Sequence, residues 1–211
     1  MIWNGKRGYV FVEVPKTGTS AIASRLLEID PEARRGEVVR RDGRRVALPV
    51  HAAATEIRRA LGDEAGDYTF IAFLRDPVEL MVSKYHFYRS GRASERSDRG
   101  DGGLGLKLRV AFARATPITL WCRLYPFKTS SHFVDDGAVP AVEELGDFAR
   151  LQSEFLRIFS RFGYTEAELT LPVKNRTDYT PPTSRQRARI GAIARSRCRR
   201  DFELYEQAAA R

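Results

Sequence analysis

A chain of 211 residues, 43% of them hydrophobic, is long enough to bury a substantial core and lies within the usual size of one domain, so a single domain over 1–211 is expected. Lys and Arg number 36 against 27 Asp and Glu, a formal +9 that favours an anionic partner: a nucleotide, an acidic glycan, nucleic acid or a membrane face. Two distant cysteines, Cys122 and Cys198, exclude a disulfide framework and read as small buried apolar residues, and no segment approaches the roughly 18 uninterrupted apolar residues of a membrane span.

Met1 to Gly8 lacks the apolar stretch and small-residue cleavage site of a signal peptide, so the expectation is a cytoplasmic protein or a catalytic domain cut from a longer one. Gly8 to Pro15 is a short β-branched and aromatic run, nearly continuous in apolar character, as a central strand covered on both faces requires. Ile22, Leu26 and Leu27 then recur at helical spacing, which makes the intervening stretch a strand-to-helix turn. Segment 30–45 is a charged excursion with a tight turn at Asp42-Gly43, and it leads to a strand over Val46–Val50. A helix over Ala52–Leu61 follows, with Gly62 at its C-terminal cap, and Tyr68–Arg75 is the clearest strand in the chain. Asp76, Pro77 and Glu79 are three agreeing helix-start signals, for a helix ending near Ser90.

Gly91 to Gly105 is rich in Gly, Arg, Asp and Ser and reads as a mobile loop. Beyond it, helices are expected over 106–115 and 139–162, where Val142, Leu145, Phe148, Leu151, Phe155, Ile158 and Phe162 recur every three or four residues. Leu169–Val173 reads as a late strand, and Thr183 or Ser184 caps one long basic helix to about Ala208. Strands alternating with helices imply an α/β fold of three layers, with a central, mainly parallel sheet.

The chemistry is concentrated in two places. Lys16-Thr-Gly-Thr-Ser20 lies where a strand ends and a helix begins, and a helix N-terminus presents unpaired N–H groups and positive dipole charge. Gly18 permits close backbone approach, Thr17, Thr19 and Ser20 carry hydroxyls, and Lys16 adds a charge. The result is an anion cradle, although the GxxxxGK[ST] order of the triphosphate loop is absent. The second place is Phe73–Tyr88, where Arg75 leaves the C-terminal end of a strand and Ser83 lies two turns into the next helix. Ligands of open α/β sheets bind at that edge.

Together, Pro15–Ser20 and Leu74–Tyr85 resemble the 5′-phosphosulfate loop and the 3′-phosphate motif of sulfotransferases that use 3′-phosphoadenosine-5′-phosphosulfate (PAPS). The likeness is nearest to the carbohydrate branch that contains heparan sulfate 2-O- and chondroitin 4-O-sulfotransferases. It extends weakly to Leu171–Thr177 and Asp201–Tyr205 and leaves 91–140 unmatched. The resemblance implies a P-loop-like fold and transfer of the sulfuryl group from PAPS to an acceptor hydroxyl, on a carbohydrate, with no metal. Lys16 through Ser20 would hold the 5′-phosphosulfate, and Arg75 with Ser83 the 3′-phosphate. Lys16 would also stabilise the leaving phosphate as the S–O bond breaks in line. Asn175, Arg176 and Thr177 would make a further contact to the nucleotide.

The acceptor hydroxyl needs a base. His51 follows a strand, sits in a stretch that resembles the one carrying the catalytic histidine of several carbohydrate sulfotransferases, and has an ordinary pKa of ~6.5 that suits the task. Glu13 or Glu56 is the alternative base or the group that orients the imidazole. His86, among Tyr85, Phe87 and Tyr88, reads as a packing residue, and His132 as a solvated loop residue. The arginines at 185, 187, 189, 195, 197, 199 and 200 crowd the last helix, but no nucleic-acid-binding signature accompanies them. Two other readings stay open: a small nucleotide or sugar kinase using the same loop, and a non-catalytic glycan- or nucleic-acid-binding module.

Overall fold

A computed structural model describes residues 1–91, 104–125, 128–137, 139–172 and 179–210. Its strands are β1 (Ile2–Asn4), β2 (Tyr9–Val12), β3 (Arg34–Arg35), β4 (Glu37–Val39), β5 (Arg45–Ala47), β6 (Thr69–Leu74) and β7 (Glu144–Asp147). Its helices are α1 (Thr19–Ile29), α2 (Ala54–Leu61), α3 (Pro77–Arg89), α4 (Leu104–Ala115), α5 (Ile118–Leu124), α6 (Ser131–Val134), α7 (Leu151–Phe159), α8 (Ser184–Arg197) and α9 (Arg199–Ala209). The chain divides into two compact units: Met1–Arg75 with Lys128–Asn175 and Glu203–Arg211, and Asp76–Phe127 with Arg176–Phe202. The loop expected at 91–105 falls almost wholly outside the described residues, as do Asn175, Arg176 and Thr177.

The first unit is α/β. Its five-stranded sheet runs β3-β1-β2-β6-β7, parallel across β2, β6 and β7 and antiparallel where β1 meets β2 and β3. The sheet is therefore mixed, and its parallel part is confined to three strands. Strand β1, which periodicity did not isolate, is returned to β2 by a turn in which Gly8 takes φ 71° and donates to the Asn4 carbonyl at 3.0 Å. Alternation then sorts the strand residues between two faces. Tyr9, Phe11, Ile71 and Phe73 pack against Ile22 and Leu26 of α1 and Phe155, Ile158 and Phe159 of α7. Val10, Val12, Phe70, Ala72 and Leu74 pack against Ile57 and Leu61 of α2, with Leu204 and Ala208 of α9. A sheet buried on both faces needs such continuous apolar strands, which is what 8–15 and 68–75 display.

Three sequence expectations in this unit are corrected. Val46–Val50 does not join the main sheet: only Arg45–Ala47 is extended, and it pairs antiparallel with β4 in a separate two-stranded sheet. The expected turn at Asp42-Gly43 is the cause. Gly43 takes φ 81° and donates to the Arg40 carbonyl at 2.9 Å, and the local hairpin pairs this segment with β4 instead of the main sheet. The helix expected over 139–162 begins only at Leu151, because Glu144–Asp147 is β7. Its apolar spacing of three favours a helix, but the open edge of β6 supplies a ladder, and Gly146 lets the Phe73 ring lie against the backbone, where a Cβ would come within 2.7 Å. Leu169–Leu171 is turn and irregular chain rather than a strand, with the Leu169 amide bonded back to Thr165 and Glu166.

The second unit is helical. Asp76 caps α3 as expected, accepting from the Glu79 amide at 2.9 Å with Pro77 at the first helical position. Trp121 of α5 is fully buried, stacks on Tyr125 with centroids 4.5 Å apart, and joins Met81, Tyr85, Ile190 and Ala194 in one core. Thr183 closes a reciprocal cap with Gln186 at the start of α8. The single long C-terminal helix is corrected to two, broken at Cys198, whose φ is −131°. Arg197 just before the break donates to the carbonyls of Cys122, Arg123 and Tyr125 at 2.6, 2.9 and 3.0 Å. A charged group satisfying three carbonyls outweighs continuity of one helix. Both cysteines are buried thiols, and burial pushes them up to about 12 for Cys122 and about 11 for Cys198. Among the described residues no helix is long and apolar enough to cross a membrane.

Candidate functional site

Parallel strands β2, β6 and β7 end on one edge of the first unit's sheet, at Val12, Leu74 and Asp147. Backbone carbonyl ends, the following loops and the helix starts gather there, and this is the edge where α/β sheets receive ligands. The Lys16–Ser20 loop, Arg75 and His51 lie at it.

The loop from Glu13 to Gly18 is held from within. The buried Thr17 hydroxyl donates to the Val14 carbonyl at 2.9 Å, so its proton closes the loop rather than facing outward. Gly18 is the N-terminal cap of α1 with φ 79°; it carries no side-chain cap, and the first turn of α1 holds no acidic residue. Within α1 itself, neither a cap side chain nor a first-turn carboxylate offsets the positive end of the helix. Glycine is required at 18 on two counts: the left-handed φ, and a Cβ position that would lie 2.6 Å from Leu151 Cδ2 and 3.2 Å from the Phe148 ring. Lys16 is the only non-glycine among the described residues with positive φ, at 72°. A lysine held there costs about 1–2 kcal/mol.

Arg75 leaves the end of β6 with its guanidinium over the Phe148 ring, 4.7 Å from the centroid. Phe148 thus touches both elements, bracing the Gly18 turn on one side and the Arg75 cation on the other. Sequence reasoning placed Phe148 in the apolar stripe of a helix and missed this role. It stands in the 3-10 turn Phe148–Arg150 after β7, which no periodicity marks.

His51 reaches the same edge without a sheet strand beneath it. Its Nδ1 lies 2.7 Å from the carbonyl oxygen of Glu13, the residue that follows β2. A carbonyl only accepts, so Nδ1 carries the proton and the neutral ring keeps its lone pair on Nε2. Partial removal from water holds the pKa of His51 below its ordinary value, helped by the amino terminus and Arg35 and opposed by the Glu13 carbonyl and carboxylate. Neutral imidazole is the outcome at neutral pH.

Both carboxylates proposed as alternative bases hold other contacts. Glu13 is fully buried and accepts from Arg35 Nε at 2.8 Å, from Arg35 Nη2 at 2.5 Å and from the Met1 ammonium at 3.1 Å. Glu56 accepts from the Ala53 amide at 2.8 Å, capping α2. Glu13 orients His51, but through its main chain rather than its side chain.

Ser83 belongs to the second unit, where it is buried on α3 two turns after the Asp76 cap. His86 stacks on Tyr179 at 4.1 Å and 9°, an arrangement that accounts for its packing role; burial and then Arg89 lower its pKa. His132 is in α6 rather than in a loop, edge-on to Phe133. Among the described residues no group of three or more His, Cys, Asp or Glu is arranged to hold a metal ion. Comparison with known proteins adds no relative: no family model, curated protein or solved structure matches the chain.

Proposed function

We propose that the chain is a PAPS-dependent sulfotransferase of P-loop-like fold, acting in the cytoplasm on a hydroxyl of a carbohydrate acceptor. The observation that carries this reading is the convergence of the uncapped Gly18 turn, Lys16, Arg75 and His51 on the C-terminal edge of β2 and β6. The α1 N-terminus and Lys16 supply donors and charge for a 5′-phosphosulfate, and Arg75 supplies a cation for a second phosphate. His51 Nε2 takes the acceptor proton, the acceptor oxygen bonds to sulfur, and the S–O bond to the 5′-phosphate breaks with its electron pair left on that phosphate. Lys16 then stabilises the charge developing on the leaving oxygen. No covalent intermediate on the protein is needed, so positioning and electrostatics dominate.

Calorimetric titration with adenosine 3′,5′-bisphosphate, beside ATP with magnesium, tests the reading. The bisphosphate binds wild-type protein, and Lys16→Ala and Arg75→Ala each weaken it by about tenfold or more, as loss of a charge-assisted contact requires. Folded protein that ignores the bisphosphate but binds magnesium ATP overturns the proposal in favour of a kinase.

A further inference from the structure

Helix α4 is apolar on two opposite sides. Val110 and Ala113 are its buried residues, and Ala113 packs in the core of the second unit with Phe112 partly buried against it. Leu104, Leu108, Ala111 and Ala115 recur at intervals of four, three and four, which aligns them in one stripe along an α-helix. All four are exposed, Leu104 by 75% and Leu108 by 60%. A helix that serves one core carries polar residues on its outer side, so this stripe has another use.

Every charged residue of α4 itself is basic. Lys107 and Arg114 run along one margin of the stripe, with Arg114 also donating to the Arg89 carbonyl at 3.4 Å. From Leu104 to Tyr125 the sequence contains no Asp or Glu. Helix α5 repeats the combination, with Leu120 and Leu124 exposed on either side of Arg123.

Three occupants can be weighed by chemistry. Residues 92–103 read Arg-Ala-Ser-Glu-Arg-Ser-Asp-Arg-Gly-Asp-Gly-Gly and offer no large apolar side chain to the leucines. A second copy of the chain would bring the cations of one stripe against those of the other. A polyanionic glycan would answer the cations and leave the leucines in water. An anionic lipid surface answers both, because its headgroups carry negative charge and its interface accepts leucine side chains.

We propose that α4 docks the protein in the plane of an anionic lipid bilayer surface, with Leu104 and Leu108 inserted and Lys107 and Arg114 on the headgroups. With 12 residues α4 lies on such a surface and does not span it. The inference is independent of the transfer chemistry proposed above.

Flotation of the full chain with phosphatidylcholine vesicles, alone or with about one third phosphatidylserine, tests it. The protein floats with the anionic vesicles, releases from them in about 0.5 M salt, and stays behind with phosphatidylcholine alone. The double substitution Leu104→Ser with Leu108→Ser lowers binding by about tenfold or more, as loss of two inserted leucines requires. Lys107→Glu lowers it separately, and thermal melts show that both variants stay folded, since the altered side chains are exposed. Failure of wild-type protein to float with anionic vesicles overturns the proposal. So does full binding by folded leucine variants, or a lipid-free dimer that the same variants dissolve.

Discussion

Removing the Glu13 side chain is the sharpest stability test of the site's foundation. The carboxylate is fully buried and holds both arms of Arg35, at 2.8 and 2.5 Å, together with the Met1 ammonium. Breaking a buried ion pair by deleting one partner costs about 3–5 kcal/mol, because the other charge is left without its counterion. Arg35 is 39% exposed along its side chain and can turn to water, which points to the lower end, about 3 kcal/mol for Glu13→Ala. For a chain of this size that loss lowers the melting temperature by about 6–12 °C. Urea unfolding and thermal melts at pH 7 measure it, and Arg35→Ala with the double variant completes a cycle whose coupling energy exceeds about 1 kcal/mol. A Glu13→Ala loss below about 1 kcal/mol would refute the claim that this carboxylate anchors the edge. Because His51 is held by the Glu13 carbonyl, its Nδ1-protonated form persists in Glu13→Ala, as nitrogen chemical shifts would record.

Further expectations follow from the same geometry. Lys16→Gly relieves the left-handed strain that Lys16→Ala retains, so the glycine variant is more stable than the alanine variant by about 1 kcal/mol in urea unfolding, while both lose affinity for the bisphosphate; equal stabilities would mean that the backbone is unstrained. Gly18→Ala places a methyl 2.6 Å from Leu151 Cδ2 at a positive φ and costs about 2–4 kcal/mol by the same measurement. His51 has a folded pKa below its unfolded ~6.5, so the unfolded chain binds more protons below that value and stability falls as pH drops through 6.5 toward the folded pKa; His51→Gln flattens that slope, and an NMR titration giving a pKa above 6.5 contradicts it. At Asp30, burial acts to raise the pKa, but hydrogen bonds from Tyr164, the Glu32 amide and Arg7 outweigh it and leave the group below its ordinary value. Its stabilisation is complete above the unfolded pKa of ~3.9 and disappears as pH falls through the folded one, and Asp30→Asn should remove that acid-limb dependence from the unfolding curve.

The sequence by itself determined the parts whose signals are local. Continuous apolar runs marked β2 and β6, the Asp76-Pro77 cap started α3, and the Lys16–Ser20 turn declared an uncapped helix start, because each depends on neighbours within a few residues. Tertiary structure decided what depends on distant partners. Residues 144–147 became a strand because β6 offered an edge, and Val46–Val50 lost its expected place because Arg45–Ala47 pairs with β4 in a local hairpin. Phe148 became the brace between Gly18 and Arg75 only once β7 ended beside β6. His51 was singled out as a strand-end histidine, but what brings it to the edge is one hydrogen bond to the Glu13 carbonyl, 38 positions away in the chain. Spacing cannot foretell such a bond, because main-chain carbonyls are the same at every residue and only the fold selects which one an imidazole meets.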